Sequence, residues 1–213
     1  MLKAYGDESY DDKNNRVFAV ASLFGNERQW GKLEEKWSAL TNGIVFHASD
    51  CESDQRDFAE SKGRTHEQNQ TLYRRLTTLL CESGVLGYGV ALDRISQRKY
   101  MPDLLPESAY YKCFGENIMF FARQAYMAVE QTPVQFIFEQ RPEIEHSAKM
   151  MNEYMADLPE WQYSQFLNRT LLFKCRQKDV GLQAADLWAR EVMKFMDNDI
   201  GPKNTRFLTT PDS

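Results

Sequence analysis

Cysteine is scarce and dispersed in this chain of 213 residues: the four copies are Cys51, Cys81, Cys113 and Cys175, and no CxxC pair occurs. Such spacing argues against a zinc site or a disulfide framework and makes a reducing, cytoplasmic setting the simpler expectation. No apolar run approaches the ~18 residues that a membrane helix needs, so no membrane partner is expected. The opening MLKAYGDES has a single lysine before it turns acidic, unlike a signal peptide. Neither a P-loop nor a GxGxxG turn is present to cradle a nucleotide, which counts against phosphotransfer on a small phosphate ester. Basic residues are in deficit too, with 26 Lys and Arg against 31 Asp and Glu for a net charge of −5. A tight, non-specific nucleic-acid binder is usually basic, so any nucleic-acid contact has to come from a local patch or be completed by a protein partner.

The 42% of apolar and 13% of aromatic residues can bury a sizeable core. Alternation and β-rich composition predict strands over 2–7 and 16–24, joined as an antiparallel hairpin, then 84–93 and 134–140, the last buried on both faces. A short strand over 44–47 and a longer one over 169–177 complete the set. Helical spacing predicts helices over 27–41, 65–82, about 107–130, 143–157 and 180–197, with an irregular stretch at 48–64. This order implies an α/β fold, a mixed sheet of antiparallel hairpin strands plus parallel strands with helices on its faces. The expectation is one domain over 1–200 with a helical insertion near 27–83, followed by a frayed tail at 201–213.

The most informative stretch is DVGLQAADLWAR, Asp179 to Arg190. Asp179 can cap a helix, while Gly181, Ala184, Ala185 and Ala189 let a neighbour approach closely. Leu182, Ala185, Ala189 and Val192 form an apolar stripe, and Gln183 and Asp186 fall on the same or an adjoining face. A carboxylate placed there is partly desolvated, which is costly unless a cation or hydrogen bonds compensate. The simplest compensation is a pair with Arg190, four residues on.

Two more acids stand where elements end: Asp7 closes the first strand and Glu139 the buried strand. Each has a simpler role open to it, Asp7 in a solvated turn with Glu8, Asp11 and Asp12, and Glu139 in a pair with Arg141. Brought to one sheet edge, Asp7, Glu139 and Asp186 would repel one another unless a cation intervened. Hard carboxylate oxygens suit Mg²⁺ or Mn²⁺, which can hold the attacking and leaving oxygens of a phosphodiester displacement. His47 ends the short apolar run and is a candidate catalytic residue, since imidazole exchanges protons near neutral pH. Lys174, Arg176 and Lys178, spaced by two, would share one face of a strand and could hold a nucleic-acid backbone. Gln183 is a candidate for substrate contact, and Glu8, pointing away from Asp7, supports the site from behind or lies at the surface.

GDES at 6–9, FHASD at 46–50, FIFE at 136–139 and GLQAADLWAR at 181–190 resemble, in this order, the motifs of the DUF3800 family. The resemblance spans nearly the whole chain and is strongest at GLQAADL, which is similar to that family's Gln-x-x-Asp-Leu signature. It implies an RNase H-like, RuvC-type α/β fold and a metal-dependent nuclease site, with Asp7, Glu139 and Asp186 as its acids. Glu8, His47 and Gln183 match further motif positions. Two positions depart from the pattern: Tyr10 stands where Gly is common, and Glu139, a longer ligand arm, stands where Asp is usual. The leading expectation is a Mg²⁺- or Mn²⁺-dependent nuclease acting on DNA or RNA. The alternative is a non-catalytic RNase H-like module that binds nucleic acid or protein within a larger bacterial or phage system.

Overall fold

The computed structural model describes residues 1–11, 16–103, 108–129 and 131–200, without the side chain of Lys178. The expected tail from 201, the hairpin residues 12–15 and both ends of the helix predicted over 107–130 lie outside the described residues. Five strands form one mixed sheet in the order β3-β2-β1-β4-β5. The first strand, β1 (Leu2–Tyr10), is at its centre, antiparallel to β2 (Val17–Asn26) and parallel to β4 (Val134–Glu139). β3 (Leu86–Asp93) pairs antiparallel with β2, and β5 (Leu172–Lys174) pairs parallel with β4. The mixed sheet expected from the order of elements is therefore present.

Helices cover both faces. Between β2 and β3 run α1 (Glu27–Thr41), α2 (Ala48–Glu52), two 3-10 turns at 56–58 and 60–62, and α3 (His66–Glu82). Reciprocal capping boxes start α1 (Asn26 with Gln29) and α3 (Thr65 with Gln68), satisfying amides that have no partner within the helix. Trp30, Leu33 and Trp37 of α1 and Leu72, Leu76 and Leu80 of α3 pack with Tyr5, Leu23 and Ile137 on one sheet face. The opposite face, with Ala4, Phe136 and Phe138, carries α5 (Ser108–Met127) and α6 (Pro142–Ala156). The last described helix, α7 (Val180–Ile200), lies on the first of these faces against β1 and β2.

Three expectations are corrected. Residues 44–47 form no strand; they run as coil into α2, with His47 at its N-cap position. The strand expected over 169–177 keeps only Leu172–Lys174, because the chain turns into a 3-10 turn at Arg176–Lys178. Lys174 and Arg176 therefore do not share a strand face, and the side chain of Lys178 lies outside the described residues. A short helix, α4 (Arg94–Tyr100), follows β3 directly; Asp93 caps it by accepting from the Ile95 and Ser96 amides.

Gly181 brings α7 onto the sheet, since a Cβ there would stand 2.6 Å from ring carbons of Tyr5. That ring is buried and packs edge-on against Trp30, with centroids 4.6 Å apart, so it has little room to retreat. Overpacking costs about 1–3 kcal/mol, and the helix propensity of alanine returns about 1 kcal/mol at most. A net cost of about 1–2 kcal/mol is expected to lower the Tm of Gly181→Ala by about 2–8 °C at ~2–4 °C per kcal/mol; an unchanged Tm in a thermal melt would show that the ring gives way.

Candidate functional site

The parallel register aligns Gly6 with Phe138, and the next residue on each strand is an acid, Asp7 or Glu139. Side chains alternate along a strand, so both acids emerge on the face that carries Tyr5 and Ile137, which α7 covers. Asp186 reaches them from α7, five residues beyond the Gly181 contact. Asp7, Glu139 and Asp186 thus line a single cavity of about 480 Å³, together with Glu8, His47, Arg141, Arg176 and Arg190. The cavity opens beyond the carboxyl ends of β1 and β4, where ligands of open α/β sheets bind.

Burial makes the acid cluster strained in charge. Asp7 is 4% exposed and Asp186 7%. Burial, then the charges of Asp186 and Glu139, push the Asp7 carboxyl well above its ordinary range. Burial also raises Asp186, against His47 and Arg176, and raises Glu139, against Arg176. The simpler roles considered for these acids do not occur: Arg190 pairs with Glu52 at 2.7 Å rather than with Asp186, and Arg141 pairs with Glu8 and Glu143 rather than with Glu139. Asp186 Oδ2 instead accepts from the Ala48 amide at 2.7 Å, one of the donors left open at the start of α2.

Arg176 is the cation of the cluster. Its Nε donates to Glu139 Oε1 at 2.8 Å, and its Nη1 is 3.3 Å from Asp186 Oδ2. Burial alone would lower the guanidinium pKa, but Asp186, Asp7 and Glu139 hold it above its ordinary value. The expected contact of this residue with a nucleic-acid backbone is not its placement here; it turns inward. Lys174 is exposed and 3.4 Å from Asp179. His47 Nδ1 is 2.7 Å from Asp50 Oδ2, and a carboxylate partner makes that nitrogen the protonated one. Nε2 is then the nitrogen that faces Asp186, 4.0 Å from Oδ1. Glu8 faces Arg141, to which it is ion-paired.

Gln183 is placed differently from the substrate contact expected of it. Its Oε1 accepts from Trp37 Nε1 at 3.2 Å and from the Phe46 amide at 3.0 Å, and its Nε2 donates to the Arg176 carbonyl at 3.2 Å. It lines none of the cavities described here and ties α1, the 44–47 segment and the Arg176 turn to α7.

The donor set of hard carboxylate oxygens in one polar cavity fits Mg²⁺ or Mn²⁺ in kind. In the arrangement described, no group of three or more His, Cys, Asp or Glu among the described residues stands at metal-holding geometry; Arg176 bridges Glu139 and Asp186 instead.

Comparison with protein-family models finds no match, and comparison with curated proteins finds none either. Solved structures do match. RNase HII from Archaeoglobus fulgidus, in its complex with PCNA, aligns with a TM-score of 0.53 at 12% identity, over 99% of this chain and 84% of that one. A mutant of Bst-RNase HIII aligns with a TM-score of 0.53 at 15% identity, over 91% of this chain but only 52% of that one. The fold is RNase H-like. At identities this low the likeness is one of fold, and the chemistry has to be argued from the residues themselves.

This RNase H-like scaffold brings Asp7, Glu139, Asp186 and His47, candidates from four separate segments, to one cavity; the convergence of the three acids was expected. Sequence reasoning missed Asp50 as the partner of His47, Ala48 as a donor to Asp186, and the pairing of Arg190 and Lys194 with Glu52 at 2.7 and 2.6 Å. The FHASD motif held the only available signal, since it carries Asp50 three residues beyond His47.

Proposed function

We propose that this chain is a DUF3800-type nuclease that hydrolyses phosphodiester bonds in DNA or RNA with the help of Mg²⁺ or Mn²⁺. The observation that carries the reading is the convergence of Asp7, Glu139 and Asp186, from three distant segments, on one polar cavity at the carboxyl end of the parallel strands. Buried like charges are costly to assemble, and a fold that assembles them is best explained by a bound cation. Asp7, Glu139 and Asp186 would hold it; when bound, a divalent metal activates water and stabilises the leaving oxygen. Two of the solved neighbours are ribonucleases by name, which agrees with this chemistry without extending to substrate choice.

The chain's own groups supply the rest. Arg141 and Arg190 line the cavity with Arg176 and His47, and offer a phosphodiester backbone its cations, with exposed Lys174 further out along β5. His47, held at Nδ1 by Asp50, can take a proton or donate one at Nε2. One observation favours the alternative, a non-catalytic binding module: a guanidinium already neutralises part of the cluster.

Calorimetric titration with Mn²⁺ decides between them. Wild type is expected to bind saturably and to cleave labelled DNA or RNA, whereas a folded Asp186→Asn loses binding and about 10²–10³-fold of the rate, on the scale of removing one charge-stabilising group. A folded Asp186→Asn that cleaves at the wild-type rate would refute the assignment. If wild type binds no metal and cleaves neither substrate, the non-catalytic reading stands.

A further inference from the structure

Arg176 stands where a carboxylate cluster of this kind would carry its metal. It touches both Glu139 and Asp186, and the charges of Asp186, Asp7 and Glu139 together hold its pKa above the ordinary value against burial. Its Nη1 is buried and makes no well-directed hydrogen bond, so attraction to Asp186 holds it there rather than a fitted bond. Its backbone is fixed: the Arg176 carbonyl accepts from the Asp179 amide and from Gln183 Nε2, both at 3.2 Å. A second cavity, of about 320 Å³, abuts the first, and Arg176, Glu139 and His47 line both. Asp50 and Asp57 line the second cavity only. The guanidinium therefore has room to swing off the acid cluster on a stationary backbone, towards Asp57, since Asp50 is already paired with His47 and Arg56.

We propose that Arg176 is a built-in counter-cation of the cluster, which a divalent cation displaces from Asp186 and Glu139 into the adjoining cavity, so that this side chain sets the affinity of the site for metal. The inference rests on the reading that Asp7, Glu139 and Asp186 hold a divalent metal. A guanidinium and a dication drawn to the same carboxylate oxygens repel each other, so one leaves as the other binds. A proton that competes for those oxygens is removed by raising the pH, whereas arginine stays charged throughout. Competition by Arg176 therefore persists at a pH where the acids are ionised. In the absence of metal the same contact holds the acids together, and its loss exposes them to one another.

The test is Mn²⁺ titration by calorimetry on wild type, Arg176→Gln and Arg176→Lys, with thermal melts of each in chelator and in saturating Mn²⁺. Arg176→Gln is expected to bind Mn²⁺ at least about tenfold more tightly than wild type, to melt lower than wild type in chelator, and to gain more from the metal, since tighter binding to the folded state raises apparent stability. Arg176→Lys keeps a charge without the planar fork and falls between them. Tight binding by Arg176→Gln where wild type binds weakly or not at all supports displacement. Equal or weaker binding by Arg176→Gln, with wild type binding normally, overturns it and leaves the nuclease reading standing. Saturable binding by none of the three proteins overturns both. Should the melts show Arg176→Gln to be unfolded, Arg176→Lys carries the test alone: tighter binding than wild type supports the proposal, and equal or weaker binding overturns it.

Discussion

Asp7→Asn is expected to make the metal-free protein more stable at pH 7 while it weakens metal binding and slows cleavage. Burial, Asp186 and Glu139 all raise the Asp7 carboxyl in the folded state, so the folded chain binds this proton more tightly than the unfolded one does. The stability that this provides is fully present below the unfolded pKa and is lost as pH rises through the raised folded value. At neutral pH wild type therefore bears the cost of keeping a carboxyl with a raised pKa buried in the folded state, which the neutral amide removes. Replacing an unfavourable buried charge by a neutral group of the same shape is worth about 1–2 kcal/mol on the scale of buried-ion replacements, or about 2–8 °C in Tm for a chain of this size. The gain should shrink on acidification, because wild type recovers its proton. Activity should fall by about 10²–10³-fold. Melts of both proteins between pH 4 and 8, in chelator, check the sign; an Asp7→Asn that melts lower than wild type at pH 7 would mean that the carboxylate is net stabilising in the fold. Sites that trade stability for function behave in the expected way.

The elements that sequence reasoning read well are those with a period long enough to count. Helices α1, α3 and α7 are each four or more turns long and carry apolar stripes, and β4, apolar except for Gln135 up to its final acid, is buried on both faces from Val134 to Phe138. The candidate site was legible for a related reason: Asp7 and Glu139 each follow an apolar strand, and Asp186 interrupts an apolar helical face, so each stands out against its own neighbours. What escaped was set by tertiary contact. Residues 44–47 read as a short apolar strand but have no strand partner, and their Phe46 amide is taken by Gln183 on α7. The three basic residues after Phe173 looked like one face of a strand, yet the chain breaks into a 3-10 turn there and aims Arg176 at acids 37 and ten residues away in sequence. No local period encodes that turn. Gln183 sat beside Asp186 in a recognisable motif, and the motif alone does not distinguish a residue that meets substrate from one that fastens the walls of the site.

That distinction makes Gln183→Leu the most destabilising single change expected near the site. The substitution keeps the volume and the helix but removes the one oxygen that serves both the Trp37 indole N–H and the Phe46 amide N–H. Both donors belong to residues that are 0% exposed, so water does not replace it. Each buried donor left without a partner costs about 1–3 kcal/mol, and the Arg176 carbonyl loses one of its two donors, keeping the Asp179 amide. A total loss of about 3 kcal/mol or more follows, which lowers Tm by about 6–12 °C. Trp37→Phe removes one of the two donors in advance, so the double variant should lose less than the sum of the single ones, with a coupling on the order of 1 kcal/mol by denaturant unfolding. Additive effects would show that the Trp37 bond contributes nothing, and a Gln183→Leu of wild-type stability would show that the segment before α2 finds its partners elsewhere. Because the same amide side chain fastens both the segment that ends in His47 and the turn that carries Arg176, the variant that still folds at low temperature should also bind Mn²⁺ differently from wild type. On the proposed reading, metal affinity would then depend on a residue outside the acid cluster, through the placement of His47 and Arg176 beside the acids.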